Sequence, residues 1–337
     1  MSTPEFWWRA ERAGLALALW PAAKLWGAAV VWRMSRPPRF RPSATVICVG
    51  DFIVGGTGKT STVMTLARMA RSRGLKPGVL VRGRGGRATG PLLVDPAIYN
   101  ADHVGDDSVL LAATAPTMVA RDRVAGARKL IDAGVDVIVM EDGFHDPALP
   151  KDLTLIAVDA GLGLGNGQTV PAGPLRAPLQ AQLRRADALL VIGDGAAAEP
   201  LIRAAARAGR PVMRARLKPT RVRQWRRDPM LAFAGIARPE RFFAALAEVG
   251  ATVAETRAFP DGHRYGAAEA TALIEAAEAG NLSLVTTEKD MARLAGRTGP
   301  VARLHERAEP FRVTLEFDNP SAVGEMIDEA VRKVALA

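Results

Sequence analysis

From Ala44 onward, short solid apolar runs alternate with segments whose apolar residues recur every three or four positions. "ATVICVG" (Ala44–Gly50) reads as a buried strand, and "KTSTVMTLARMARSRG" (Lys59–Gly74) carries an apolar face at helical spacing before closing on glycine. "PGVLVRG" and "PTMVA" predict two more strands, "VAGARKLIDAG" a helix, and "VDVIVMEDG" a β-branched run ending in two acids. "LTLIAVDA" and "ADALLVIGD" supply two further strands. Solid apolar strands alternating with helices predict an α/β fold, a mostly parallel sheet with helices on both faces.

The texture changes near residue 210. "RPVMRARLKPTRVRQWRRDP" holds eight basic residues in twenty, after which "MLAFAGIARPERFFAALAEVG" and "LSLVTTEKDMARL" each read as a fresh strand–helix unit. The expected division is a helical segment over 1–40, a main α/β domain over 41–227, and a smaller α/β domain over 228–337 that closes over the active site. Five of the six tryptophans (Trp7, Trp8, Trp20, Trp26, Trp32) punctuate the first segment, where Pro21 and Lys24 interrupt the apolar run and Arg33, Arg36, Arg39 and Arg41 follow. Tryptophan throughout and a mid-segment charge suit a helix lying in the headgroup region of a membrane rather than crossing it. The alternative is a helical hairpin packed on the protein's own core.

The net charge of +10 implies an anionic partner. A lone cysteine, Cys48 in an apolar run, excludes an internal disulfide or a cysteine metal cluster and favours a reducing compartment. The four histidines show no metal-binding spacing.

Candidate chemistry begins at "VGDFIVGGTGKTSTV" (Val49–Val63), between the first strand and its helix. Gly55, Gly56, Thr57 and Gly58 offer a backbone nest for phosphate, Lys59 a charge, Thr60 a hydroxyl for Mg²⁺, and Ser61 follows in the helix. The strict pattern fails at its first glycine, where Ile53 stands, and Val54 occupies the signature-lysine position of a deviant P-loop class. Glu141 and Asp142 end an apolar strand, where a P-loop NTPase-like sheet places its metal-binding acids. Asp106 and Asp107 of "VGDDS" either serve chemistry or cap the next helix. Arg82, Arg84 and Arg87 occupy a Gly/Arg loop that grips phosphate or is simply solvated.

With "GLGLGNGQTVPAGPLRAPL" (Gly161–Leu179), these pieces resemble the tetraacyldisaccharide 4'-kinase family. That stretch is similar to the family's G-N-G-x-x-x-P-A-G-P-L-R-E-P, "GDDSVLLA" to G-D-E-P-x-L-L-A, "VRGRGGR" to S-R-G-Y-G-R, and "EDGFHDPAL" to D-D-G-[FL]-Q-x-x-x-L. "TTEKDMARL" and "GIARPERFFAALAEVG" resemble stretches of its C-terminal domain, so the likeness covers about 45 to 295. The resemblance implies transfer of the ATP γ-phosphate, with Mg²⁺, to the 4'-hydroxyl of a tetraacylated glucosamine disaccharide 1-phosphate, a lipid A precursor. It implies a peripheral enzyme on the cytoplasmic face of the bacterial inner membrane, working as a monomer among anionic lipids and without nucleic acid.

Carried over position by position, the resemblance implies Asp106 as the base that takes the hydroxyl proton. Asp107 joins Thr60, Glu141 and Asp142 near the metal, and Arg82, Arg84, Arg123, Asn166 and Arg176 contact substrate, with Pro171 in the same signature loop. The family's F-x-D-H histidine is expected to pair with the catalytic aspartate, but "FPDGHRY" has Gly262 there and His263 one residue later. His263 is the expected substitute. His145 stands where the family usually has glutamine, and Ser108 replaces a proline. Competing classes are a membrane-associated switch ATPase, which leaves "GNGQTVPAGPLR" unexplained, a metal-insertion GTPase, whose Cys/His metal sites and base-reading motif are not evident in this chain, and a non-enzymatic basic binder, which leaves the phosphate loop idle.

Overall fold

A computed structural model describes residues 4–8, 14–220, 222, 225 and 228–336. Half of the basic cluster before residue 228 (Arg221, Arg223, Arg226, Arg227) and residues 1–3 and 9–13 of the N-terminal segment lie outside the described residues.

The main sheet takes β1 (Thr45–Gly50), β2 (Pro77–Val81), β3 (Leu92–Leu93), β4 (Thr117–Val119), β5 (Val137–Glu141), β6 (Leu153–Asp159), β7 (Ala188–Ile192) and β8 (Val212–Pro219). The chain then builds a second sheet from β9 (Met230–Ala234), β10 (Val253–Ala258), β11 (Ser283–Thr287) and β12 (Ala308–Phe311), and returns to the first with β13 (Val313–Phe317). The large sheet runs β13-β8-β7-β6-β1-β5-β2-β4-β3 and the small one β10-β9-β11-β12. Pairing is parallel except at the two edges of the large sheet, where β13 and β3 run antiparallel.

Successive side chains of a strand point to opposite faces, and β1 shows the consequence. Ile47 and Val49 join a buried cluster with Val63, Leu66 and Ala70 of the helix Lys59–Ser72 and with Ile327 of the helix Pro320–Ala335. Val46 and Cys48 join the opposite cluster, with Leu130 and Leu201. Both faces being covered explains why these strands read as solid apolar runs. The smaller body repeats the plan, with Leu231 and Phe233 of β9 on one side and Met230, Ala232 and Ala234 on the other.

A boundary at residue 228 assigns all of 228–337 to the smaller unit. The pairing divides that segment: 230–311 form the smaller body, whereas β13 pairs with β8 and the helix Pro320–Ala335 packs its Val323 and Ile327 into the large core. The apolar spacing of Val313, Leu315 and Phe317 does not say which sheet receives it.

The helix Trp20–Met34 touches the protein through small residues, Ala23 and Gly27. A Cβ on Gly27 would lie 3.1 Å from Pro178 Cδ and 3.5 Å from Thr169 Cγ2, so the helix axis rides close on the loop 161–179. Its opposite side and the short helix before it leave Leu15, Leu17, Trp20, Leu25, Trp26 and Trp32 exposed. Lys24 lies over the Trp20 ring and Arg36 over that of Trp32. No helix of the described residues is long and apolar enough to cross a membrane.

Candidate active site

The loop after β1 leaves the carboxyl edge of the sheet, flanked by β5 and β6. Gly58 caps the following helix at φ +84°, and a Cβ there would lie 2.8 Å from Ile192 Cδ1 at the end of β7. Only glycine fits this close left-handed turn. It presents the first amides of Lys59–Ser72 to the loop, which is how a helix N-terminus receives phosphate. Ile53 explains the broken motif: its side chain is buried in the core and its backbone bridges Leu175 of the loop 161–179. Val54 N–H donates to Pro174 O at 2.9 Å, and Arg176 N–H to Phe52 O at 2.8 Å. The loop that begins a strict P-loop with glycine is here zipped to a second loop.

Charges at this pole interlock. Lys59 Nζ donates to the fully buried Asp51 and lies 3.8 Å from Asp142 Oδ1. Arg176 Nε is 3.0 Å from Asp51 Oδ1 and its Nη2 3.4 Å from Asp142 Oδ1, while Arg84 Nη2 is 2.9 Å from Asp142 Oδ2. Burial works against the Lys59 charge, but Asp51 and Asp142 outweigh it and hold the ammonium above lysine's ordinary range. Burial likewise opposes ionised Asp142, yet Lys59, Arg176 and Arg84 keep its carboxyl well below the usual range. Thr57 Oγ1, in the same loop, is buried with no partner.

A second pole forms where the smaller body meets the helix Asp106–Ala112. Gly105 precedes it at φ +87°, and a Cβ there would meet Arg84 O at 2.5 Å, so the acid-bearing loop and the arginine loop touch backbone to backbone. Asp107 Oδ1 accepts from Thr60 Oγ1 at 2.6 Å and lies 2.7 Å from Lys289 Nζ. Asp106 Oδ2 accepts from Arg293 Nε at 3.0 Å and Nη2 at 2.5 Å. Asp102 is held by Arg264 and, at 2.9 Å, by Arg297. Burial resists the charge of Asp107, but Lys289 and Thr60 hold its carboxyl below the ordinary range. Asp106 lines an open cleft with Gly85, Gly262, Arg264 and Arg293.

The structure thus brings Gly55–Gly58, Lys59, Thr60, Asp107, Asp142, Arg84 and Arg176 into one neighbourhood. Ser61 lies in the helix's first turn, and Arg82 and Arg87 are exposed. Three expectations change. Arg123 is only 2% exposed, and its guanidinium donates to Leu80 O at 3.0 Å and Glu141 O at 2.9 Å, so it ties the ends of β2 and β5 instead of meeting substrate. Asn166 spends its carboxamide on Ala172 O and on Gln168 N–H, bracing the signature loop. His263 Nε2 is 2.9 Å from Glu269 Oε2 and its ring stacks on Phe259, while Asp106 is taken by Arg293, so no hydrogen bond joins His263 to Asp106. Gly262, at φ +76°, stands where the family histidine is expected, and His263 after it turns to Glu269 of the helix Ala267–Gly280.

Asp51 lies inside the phosphate-loop stretch and Lys289 and Arg293 inside "TTEKDMARL", but neither stretch singles them out. An acid straight after "VICVG" and a lysine and arginine four apart in "EKDMARL" are the available signals. His145, where the family usually has glutamine, is buried and shares a 2.7 Å hydrogen bond with Gln182 Oε1. Gln182 Nε2 in turn donates to Phe52 O and Ala177 O, so the pair supports the phosphate loop from beneath.

Among the described residues no three His, Cys, Asp or Glu groups cage an ion by themselves. A P-loop Mg²⁺ does not need such a cage, because it takes one or two protein oxygens and completes its shell with phosphate and water. Thr60 and Asp107, in mutual contact, and Glu141 fit that role. Glu141 is pushed up to about 7 by burial and by Asp142 and Asp107. Asp142, expected beside the metal, instead holds Lys59, Arg84 and Arg176.

The sequence profile described as Tetraacyldisaccharide-1-P 4'-kinase matches residues 15–332. A tetraacyldisaccharide 4'-kinase of Rhizobium meliloti (strain 1021) is 45% identical over 328 residues, 97% of this chain and 94% of its own. One from Methylobacterium sp. (strain 4-46) is 51% identical over 296 residues, 87% and 89% of the two chains. The crystal structure of the "apo" form of LpxK from Aquifex aeolicus in complex with ATP shares the fold, with a TM-score of 0.73 at 21% identity over 94% of this chain and 99% of that one. With the profile and the relatives both running nearly end to end, this chain belongs to the tetraacyldisaccharide-1-P 4'-kinase family.

Proposed function

We propose that the chain works as the family does, as an ATP-dependent kinase that phosphorylates the 4'-hydroxyl of a tetraacylated glucosamine disaccharide 1-phosphate in lipid A biosynthesis. The observation that carries the residue roles is the adjacency of the two poles, with Thr60 of the phosphate loop hydrogen-bonded to Asp107 beside Asp106. The amides of Gly55–Gly58 and the helix start hold the ATP phosphates, and Lys59 leaves Asp51 to meet the transferring group. Arg84 and Arg176 add positive charge around it. Thr60, Asp107 and Glu141 would hold Mg²⁺, which when bound neutralises phosphate charge.

Asp106 accepts the proton of the 4'-hydroxyl as its oxygen bonds to the γ-phosphorus. The bond to the β,γ-bridging oxygen breaks, and ADP leaves with that oxygen. Positioning and charge supply most of the acceleration in this reaction class. The main body, 41–219 with the returning 313–335, is the ATP-binding domain, and the smaller body over 230–311 closes on it.

The exposed Trp/Leu side of the N-terminal helices rests on the cytoplasmic face of the inner membrane, where a basic protein meets anionic lipid as a monomer. Each buried leucine is worth about 2 kcal/mol there, so Leu25→Glu should weaken sedimentation with anionic vesicles while leaving the melting temperature intact. Unchanged sedimentation would move the anchor elsewhere. The reaction is tested with γ-labelled ATP and a tetraacylated disaccharide 1-phosphate. Label in the lipid is expected, whereas ATP hydrolysis stimulated by vesicles without acceptor labelling would overturn the kinase reading in favour of a switch.

A further inference from the structure

We infer that Lys289 and Arg293, carried by the smaller body, are positioning residues for Asp107 and Asp106, so that the acid pair is set for phosphoryl transfer only while that body is docked. The inference rests on the kinase reading above and concerns how its acceptor side is assembled.

The helix Glu288–Leu294 is opened by Thr287, whose hydroxyl accepts from Asp290 N–H. Residues four apart on a helix share a face, and this face turns Lys289 and Arg293 toward two adjacent acids at the start of Asp106–Ala112. Lys289 Nζ stands 2.7 Å from the same Asp107 oxygen that accepts from Thr60 at 2.6 Å. A continuous chain, Thr60–Asp107–Lys289, therefore joins the phosphate loop to the smaller body.

Arg293 is held more completely. Its Nε and Nη2 both reach Asp106 Oδ2, and Nη1 donates to Asp290 Oδ1 at 2.8 Å and to Gly235 O at 2.6 Å. Asp290 is itself fully buried and accepts from Gly235 N–H at 3.1 Å and Thr287 Oγ1 at 2.7 Å. The guanidinium is thus fixed from behind before it touches Asp106, whose other oxygen accepts from Asp107 N–H at 3.0 Å. Exposed ion pairs fix little, but the Arg293 side chain is only 9% exposed, and a planar fork imposes direction as well as charge. His263, bound to Glu269, leaves this task to the arginine.

The smaller body has a separate anchor, where Arg238 and Arg241 grip Asp159 at the end of β6. That anchor supplies the control. Steady-state transfer to the tetraacylated disaccharide 1-phosphate, with nucleotide titration and melting curves, is measured for Arg293→Gln, Arg293→Lys, Lys289→Gln and Arg241→Gln.

Misplacing a reacting group by an ångström costs about a hundredfold, so Arg293→Gln should lose about that much kcat while binding ATP normally. Arg293→Lys should recover to within about tenfold of wild type, because it restores the charge without the fork. Arg241→Gln should keep wild-type kcat, because Arg238 still holds Asp159 and the smaller body stays docked. Wild-type kcat in Arg293→Gln, or an equal loss in Arg241→Gln, overturns the inference. Should Arg293→Gln not fold, Lys289→Gln decides, since its side chain is 38% exposed against 9% for Arg293: a fall in kcat at constant ATP affinity supports positioning, and unchanged kcat overturns it. Wild-type protein that labels no acceptor would sink the kinase reading instead, a distinct result.

Discussion

The donor pole and the acceptor pole are both knots of ion pairs, but they are tied in opposite ways. At the donor pole Asp51 and Asp142 hold Lys59, Arg84 and Arg176, and every partner comes from the main body. At the acceptor pole the acids Asp102, Asp106 and Asp107 come from the main body and their cations, Arg264, Arg297, Arg293 and Lys289, from the smaller one. The first site is therefore complete within one folded unit. The second exists only where two units meet, so on the proposed roles nucleotide binding and acceptor activation would fail independently.

The largest test of that difference is Lys59→Ala. Loss of a charge clamp on the transferring phosphoryl should cost about a thousandfold or more in kcat/KM, and ATP affinity should fall with it. Near-normal turnover in the transfer assay would remove Lys59 from the donor pole. Asp106→Asn comes next. Removing a general base costs about a hundredfold or more, and because the amide keeps the shape of the site, ATP affinity should hold. A parallel loss of rate and ATP binding would mean that the poles are one unit after all.

A smaller, pH-dependent effect separates the donor pole's support from its chemistry. Burial pushes the His145 imidazole down from 6.5 to about 4, with Arg176 adding to the shift and the Gln182 bond opposing it. The unfolded chain therefore takes up a proton first as pH falls, and the contribution of neutral His145, present above 6.5, drains away toward about 4. Melting temperature should fall more steeply over this range in wild type than in His145→Gln, and equal slopes would refute the assignment. The smallest effect belongs to His263→Ala. With its imidazole bound to Glu269, kcat should barely change, whereas a loss matching Asp106→Asn would place the histidine back beside the acid.

Much of this was legible in sequence because the main sheet is covered on both sides. β1, β2, β5, β6 and β7 read as solid apolar runs, and the phosphate loop and Glu141–Asp142 fell at their ends. β8 and β13 were not legible: β8 exposes Arg214, Arg216 and Lys218, so its strand pattern is masked by charge, and β13 is recruited across the whole smaller body. Among candidate site residues, Lys59 and Thr60 stood out in sequence because their local context is fixed. Arg123, Asn166 and His263 were assigned by position in a motif, and their partners are set by tertiary packing no spacing reveals. Arg293 was invisible for the same reason, since its meaning depends on a partner 187 positions away.

The seating of Gly27 against Pro178 and Thr169 has a consequence for how the acceptor is met. Trp7 Nε1 adds a 3.0 Å hydrogen bond to Pro171 O, and the same signature loop is zipped to the phosphate loop through Val54 and Arg176. On the proposed placement of the Trp/Leu side on a bilayer, these short links would set the height of the catalytic mouth above the lipid plane. An acceptor would then need no lifting out of the leaflet, and the encounter would become a search in two dimensions. Turnover should then follow the mole fraction of acceptor in the surface, falling when inert lipid dilutes it even as its bulk concentration stays constant.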